Sequence, residues 1–376
     1  MSFEGLVDIS LPAGRGGEVA VRYRRPVDIS PVLAGKRPDE VMPFVAAVYG
    51  VCANAQAHAA VLALEAALGI AVDRRTAAAR AMVTAMETLR ENLLRIALDW
   101  PPLTGDAPDG ASVRAVTGFV PRMRTGLFGG NDPFGLGAQA LPDACAVADL
   151  IDEAENLLET TVFGEPLGHW LKRRGQAGLF AWAAGADTPA ARLIRHLAER
   201  NWMEMAGMAS APSFLDATVL TDGDDAFSAR KAGNLPETTL FSRRAQLDMV
   251  ASFNSTGLGA RFAARLAELS CLPAEMRLLL DGHQKAGTVS SRSGNAGVGI
   301  VEAARGLLAH RVRLDGGRVV DYRIVSPTDW NFGDRGIASR CLSTLDGHGD
   351  GADRVTLAHL VVNAIDPCVA YRVRAC

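Results

Sequence analysis

Apolar residues recur at helical spacing along most of the chain. Val41, Phe44, Val45, Val48 and Cys52, then Val61, Leu64 and Leu68, give an apolar face to a helical stretch over 40–68. Pro38 followed by Asp39 and Glu40 suits its start. There a missing N–H costs nothing and negative charge meets the positive end of the helix dipole. A second helix is predicted from Arg75 to about Leu98, with Leu89, Leu93, Ile96 and Ala97 opposite Arg90, Glu91 and Arg95. Trp100-Pro101-Pro102 is expected to stop it. Residues 101–142 are rich in Gly, Pro and Asp and read as a long connection. Helical patterning resumes over 143–180, 190–208 and 236–280, with a break near Gly257 and Gly259, and again over 339–364.

Period-two patterns are fewer. Val19, Val21 and Tyr23 alternate within 17–23, which predicts a short early strand. After Gly287 the texture changes, and 288–290, 296–302, 306–314 and 318–325 read as strands. Asp315-Gly316-Gly317 is a turn signal between the last two. The expected fold class is mainly α with a small β-sheet, α+β. One domain is expected over 1–376: a helical core over 31–285, the sheet over 286–336, and a C-terminal helix with a docked tail over 337–376.

Composition narrows the function classes. The chain has 376 residues and a net charge of −3, so bulk electrostatic binding of nucleic acid is not expected. An apolar fraction of 48% excludes a disordered chain. No secretory signal opens the sequence and no uninterrupted apolar run is long enough to span a bilayer. A reduced, cytoplasmic protein that needs no membrane is the expectation. Six cysteines are too few for a disulfide framework in a chain this long, which leaves them as thiols or metal ligands.

Spacing alone points to no chemistry. There is no C-x-x-C, H-E-x-x-H, phosphate loop or G-x-S-x-G, and the glycines of 294–299 read as a turn or bulge. Cys52 on an apolar helix face is by itself a small core hydrophobe. Cys368 follows Asp366-Pro367 near the C-terminus, behind Leu360, Val361, Val362 and Ile365, which suggests a tail packed into the body.

Taken together, the two ends carry a resemblance. Tyr49-Gly50-Val51-Cys52-Ala53-Asn54-Ala55-Gln56 resembles the C-G-x-C-x-x-x-H of nickel–iron hydrogenase large subunits. Asp366-Pro367-Cys368-Val369-Ala370-Tyr371-Arg372-Val373-Arg374 resembles their D-P-C-x-x-C-x-x-H. Between them, Glu302-Ala303-Ala304-Arg305-Gly306 is similar to E-A-P-R-G, and Pro327-Thr328-Asp329-Trp330-Asn331 to P-T-x-W-N, in the same order. Leu33 to Arg37 resembles the family's stretch before its first cysteines, whereas about 100–285 carries little likeness.

The departures set what the resemblance implies. Tyr49 and Tyr371 stand where the family has a terminal nickel thiolate and a bridging thiolate, and Gln56 and Arg374 replace its histidines. Cys52 and Cys368 remain as the implied metal ligands. A phenol is a poor substitute for a soft thiolate at nickel, so no nickel is expected. The iron side is retained. Arg305 and Thr328 match the groups that the family points at the iron's cyanides, and Asp366 matches the acid that orients that arginine. A guanidinium and a hydroxyl suit a cyanide nitrogen, which accepts hydrogen bonds.

This combination resembles the hydrogenase accessory proteins of the HupK and HoxV type. It implies a non-catalytic scaffold that holds an Fe(CN)2(CO) unit transiently. The implied partners are the maturation factors that build the unit and the large-subunit precursor that receives it. The alternatives are a reduced, hydrogenase-like enzyme subunit and a metal-free chaperone of the precursor. The sequence ends two residues past Arg374, so no cleavable C-terminal extension is expected. Cys145, Cys271 and Cys341 are expected in the core, Cys376 as a tail thiol and His310 as structural. Above all, Cys52 and Cys368 must come within roughly 4 Å, plus modest movement, for two thiolates to share one metal.

Overall fold

The computed structural model describes residues 5–12, 17–25, 29–208, 235–283, 288–346 and 351–375. The fold is α+β, mainly helical with two small sheets. Leu258–Leu280 runs against Arg74–Leu94, Ala144–Leu158 and Gly351–Ile365, forming the centre of the helical body. It is buried nearly all round, as expected of a helix enclosed by others.

Strands β3 (Val289–Ser293), β4 (Ala296–Ala303), β5 (Gly306–Asp315) and β6 (Arg318–Val325) form an antiparallel meander in chain order. Gly316 and Gly317, with φ of 54° and 74°, make the β5–β6 turn. The helix Ala53–Leu68 lies across β4 and β5. Glycine permits this approach, because a Cβ on Gly297 or Gly299 would meet the Ala63 or Ala59 carbonyl oxygen at 2.0 or 2.2 Å. The glycines of 294–299 are thus a turn at Gly294 followed by a helix-packing surface.

The structure corrects several expectations. The stretch 40–68 is two helices, Pro38–Val48 and Ala53–Leu68, parted at Tyr49–Cys52 where Cys52 takes a left-handed φ of 56°. The prolines at 101 and 102 do not stop the second helix. It widens into a π-helical turn over Arg95–Asp99 and continues as Trp100–Thr104. Pro101 brings no N–H for the Ala97 carbonyl, and the Asp109 N–H takes that place at 2.8 Å.

The connection expected over 101–142 is largely helical, with Gly110–Thr117 and Phe119–Phe128 inside it. Besides the short link 105–109, the irregular part is 129–143, and the buried Arg80–Glu65 pair grips it. Arg80 donates to the Pro133 and Gly135 carbonyls at 2.8 and 3.0 Å, and Gly137 N–H donates to Glu65.

The early strand is β2 (Ala20–Arg24), but β1 (Leu6–Leu11) before it was not anticipated. β1 is the middle of a second sheet, antiparallel to β2 and parallel to β7 (Ala370–Ala375). The tail is therefore docked by a strand ladder. Among the described residues no helix is long and apolar enough to cross a membrane. Of the cysteines expected in the core, Cys341 is buried, Cys271 is half-buried and Cys145 is exposed. Cys145 misses the core because it lies in the first turn of Ala144–Leu158, on the side away from Val147, Leu150 and Ile151. Cys376 lies outside the described residues.

Candidate functional site

Two corners of left-handed backbone present the two cysteines. Cys52 sits at the N-terminal cap of Ala53–Leu68 with its side chain buried. Asp366, φ 65°, ends Gly351–Ile365 and turns the chain so that Cys368 points back inward. Such a conformation costs a non-glycine residue about 1–3 kcal/mol and persists only where surrounding contacts fix it.

Those contacts are visible at both corners. Buried Glu87 accepts from the N–H groups of Asn54 and Ala55 and from the Asn54 amide, at 2.9, 2.9 and 2.7 Å. It therefore caps the helix that Cys52 begins, and burial raises its pKa. At the second corner the Cys368 N–H donates to the Thr328 hydroxyl at 3.0 Å. Thr328 is itself buried at the start of the short helix Pro327–Asn331. Ser326 and Asp329 form a capping box there, and Arg25 clamps Asp329 through two 2.6 Å bonds.

The five residues singled out from the sequence converge. Arg305 lies in the β4–β5 turn, ahead of Gly306, whose φ is 129° and where a Cβ would stand 1.7 Å from the Thr238 carbonyl oxygen. Its guanidinium donates to Cys52 Sγ at 3.3 Å, to Glu91 at 3.0 Å and to Asp366 at 3.1 Å. The Cys52 and Cys368 thiols are neighbours that act on each other's titration, with the Arg305 guanidinium close to both.

The two thiols titrate as a pair. The neighbouring Cys368 thiol, helped by burial, raises Cys52, whereas Cys52, Arg305 and the Thr328 hydroxyl outweigh burial and lower Cys368. Burial works against the Asp366 charge, but Arg305, Arg95 and Arg265 outweigh it and hold its carboxyl well below the usual range.

A cleft of about 790 Å³ reaches this cluster from the surface, lined by Tyr49, Tyr371, Arg95, Arg305 and Cys368 among others. The Tyr371 hydroxyl is drawn aside. It accepts from the Asn363 amide at 3.2 Å, which leaves its own proton for His359 Nδ1 at 3.2 Å. Burial raises its pKa, so it stays a neutral phenol. Arg374 lies on β7, ion-paired with Asp8 on β1 at 3.6 Å. Gln56 accepts from His310 Nε2 at 2.7 Å, and Tyr322 donates to the other ring nitrogen at 2.8 Å.

His310 is thereby a neutral structural residue, its pKa pushed down by burial to about 3. The unfolded chain takes up this proton below about pH 6.5 while the folded one does not. Stability is therefore full above that pH and falls as pH drops toward about 3, by up to about 1.4 kcal/mol per unit. Urea titrations at about pH 7.5 and 5 should show this slope. His310→Asn should flatten it, and an unchanged slope in the variant would remove His310 as its source.

Arg265 and Glu87 escaped the sequence reading, and Glu91 and Arg95, read there as a polar helix face, turn into the site instead. Arg265 donates to Asp366 and to the Asn363 carbonyl, both at 3.0 Å. Arg265 and Glu268 stand in the mostly apolar run Phe262–Leu272, where buried charges need partners, and that was the available signal.

With this geometry in view, the comparisons with known proteins take on a residue-level meaning. The pattern of the family described as nickel-dependent hydrogenase matches residues 28–104 and 261–373, which include Cys52, Arg305, Thr328, Asp366 and Cys368. The chain belongs to the nickel-dependent hydrogenase family. It is a degenerate relative, similar along its whole length to hydrogenase expression/formation proteins.

HupK of Bradyrhizobium diazoefficiens is 30% identical, over 99% of this chain and 97% of the relative. HoxV of Cupriavidus necator is 30% identical, over 96% and 94%. In fold the chain is similar to an NAD+-reducing [NiFe]-hydrogenase in its H2-reduced state, with a TM-score of 0.65 at 16% identity and coverage of 95% and 93%. The Ni-Fe-Se hydrogenase of D. vulgaris Hildenborough gives 0.61 at 15%, with 94% of each chain covered.

Proposed function

We propose that this protein is a non-catalytic scaffold in [NiFe]-hydrogenase maturation. It receives an Fe(CN)2(CO) unit, holds it on Cys52 and Cys368, and passes it to the large-subunit precursor in the cytoplasm. The relatives named for hydrogenase expression and formation support the maturation role. The observation that carries the finer reading is buried Cys52 beside half-buried Cys368, with Arg305 and Thr328 next to them and tyrosines at the other two thiolate positions.

The residues fit such a cargo. Two thiolates are soft donors suited to low-spin iron, and Fe(II) with two cyanides is neutral, so the pair adds two negative charges. The Arg305 guanidinium already touches Cys52 and raises its own pKa against burial through Asp366, both sulfurs and Glu91. Thr328 and Arg305 offer donors to cyanide nitrogens. With Tyr371 neutral and turned toward Asn363 and His359, nickel finds no third or fourth soft ligand, so the cargo is not sealed in.

Infrared spectroscopy with metal analysis tests this on protein purified from cells that make the full maturation machinery. The expected result is metal-bound CO and cyanide bands with iron and without stoichiometric nickel. A spectrum without such bands sinks the iron reading. It would favour a metal-free chaperone of the precursor, a reading supported by the bonds that Arg305 and Arg265 already make to Asp366 and Glu91 within the chain itself.

A further inference from the structure

Three arginines face Asp366, and they differ in position. Arg265 and Arg305 are enclosed, with 2% and 4% of their side chains exposed. Arg95 keeps 21% and lines the cleft. It also begins the π-helical turn, a geometry rarer and less well bonded than the α-helix and often kept where function needs it. The wide turn brings Arg95 and Asp99 together at 2.7 Å, so a carboxylate near the surface braces the guanidinium from behind.

From that brace Arg95 reaches the turn that carries Cys368. Its Nε lies 2.8 Å from Asp366 Oδ1, and its Nη2 donates to the Pro367 carbonyl at 3.3 Å. The Pro367 carbonyl and the Cys368 N–H belong to one peptide unit. Thr328 holds the N–H and Arg95 holds the carbonyl, from two elements far apart in sequence. A peptide plane held at both of its polar groups resists rotation, which fixes the backbone from which the Cys368 side chain leaves.

We infer that Arg95 is a positioning residue for Cys368, latching the Pro367–Cys368 peptide so that the thiol is held at the cleft wall beside Cys52 instead of swinging out into the cleft. On the scaffold reading, on which its use rests, the latch sets how long the cargo is retained. Being the least enclosed of the three arginines, Arg95 is also the one that a partner entering the cleft can displace.

The test uses the full chain without cargo. Iodoacetamide labelling of Cys368 is followed by mass spectrometry, with exposed Cys145 as internal reference. Arg95→Ala should raise the Cys368 rate roughly ten-fold, the size expected for losing a hydrogen bond to a charged donor. Arg95→Lys should restore part of it, since an ammonium reaches one acceptor where the guanidinium reaches three.

Asp99→Asn removes the brace without touching the buried cluster, which keeps the test open if Arg95→Ala folds poorly, and should give a smaller rise. Arg122→Ala, which breaks an exposed pair with Glu153, should change nothing. Wild-type labelling rates in both Arg95→Ala and Asp99→Asn would overturn the latch. Infrared bands separate the two claims. If the wild type carries them, Arg95→Ala should shift or broaden them and shorten retention. If the wild type lacks them but labelling still rises, the latch stands and the cargo reading falls.

Discussion

Asp366→Ala is expected to lower the folding free energy by about 3–5 kcal/mol, the usual result of removing one partner from a buried charge cluster. The carboxylate faces Arg95, Arg265 and Arg305 at 2.8, 3.0 and 3.1 Å, and two of those three guanidiniums have almost no access to water. Without it, Arg305 keeps Glu91 while Arg265 keeps only the Asn363 carbonyl. The left-handed turn would also lose its side-chain anchors. Urea denaturation followed by far-UV circular dichroism measures the effect. Asp366→Asn, which keeps the shape and one oxygen acceptor, should fall between wild type and alanine. A loss below about 1 kcal/mol for alanine would mean that the arginines find water or other acceptors, and that the cluster is looser than its distances indicate.

Cys52→Ala separates fold from function most sharply. Cys52 is buried, but only its sulfur is removed, so stability should change by no more than about 1–2 kcal/mol. Retention of the iron unit should nevertheless fall by roughly 10²–10⁴-fold, as when one of two tethers is cut. Cys368→Ala should behave alike. Both variants should fail to support hydrogenase activity in a strain lacking the wild-type gene, although the folded protein is present. Normal activity with both alanines would end the two-thiolate scaffold and leave the chaperone reading. Arg305→Leu should weaken retention too, but with a stability loss of its own, because it strips Asp366 and Glu91 of a shared partner.

Much of this site was legible before any coordinates, and for a physical reason. Ligand-holding corners need particular residues at fixed spacing: Asp366-Pro367-Cys368, the Arg305-Gly306 turn and Pro327-Thr328. Such short motifs survive in a sequence even when the ligand set around them has changed. The helical body was legible through its period, because helices such as Ala144–Leu158 have one apolar side.

What escaped had other causes. The π turn at Arg95–Asp99 was hidden because two prolines read locally as a stop, while the rescue of the Ala97 carbonyl by Asp109 is a tertiary event. The helices within 101–142 are short and glycine-flanked, so composition outweighed periodicity. β1 went unseen because six residues with two polar positions gain their strand character from β7, at the other end of the chain. Arg95 and Arg265 carry no motif, and only their partners give them meaning.

The parallel pairing of β1 with β7 has a consequence for the order of events in the cell. A ribosome adding roughly 5–20 residues per second releases Cys52 many seconds before it reaches Cys368. During that interval β1 has no parallel partner, Asp366 is not yet made, and Cys52 is a solitary thiol with no second sulfur to share a proton or a metal. A two-sulfur grip cannot exist on a growing chain. On the scaffold reading, translation itself would therefore keep unfinished copies from competing for iron units, and a chain truncated before Ala370 would lose the ladder that docks the tail.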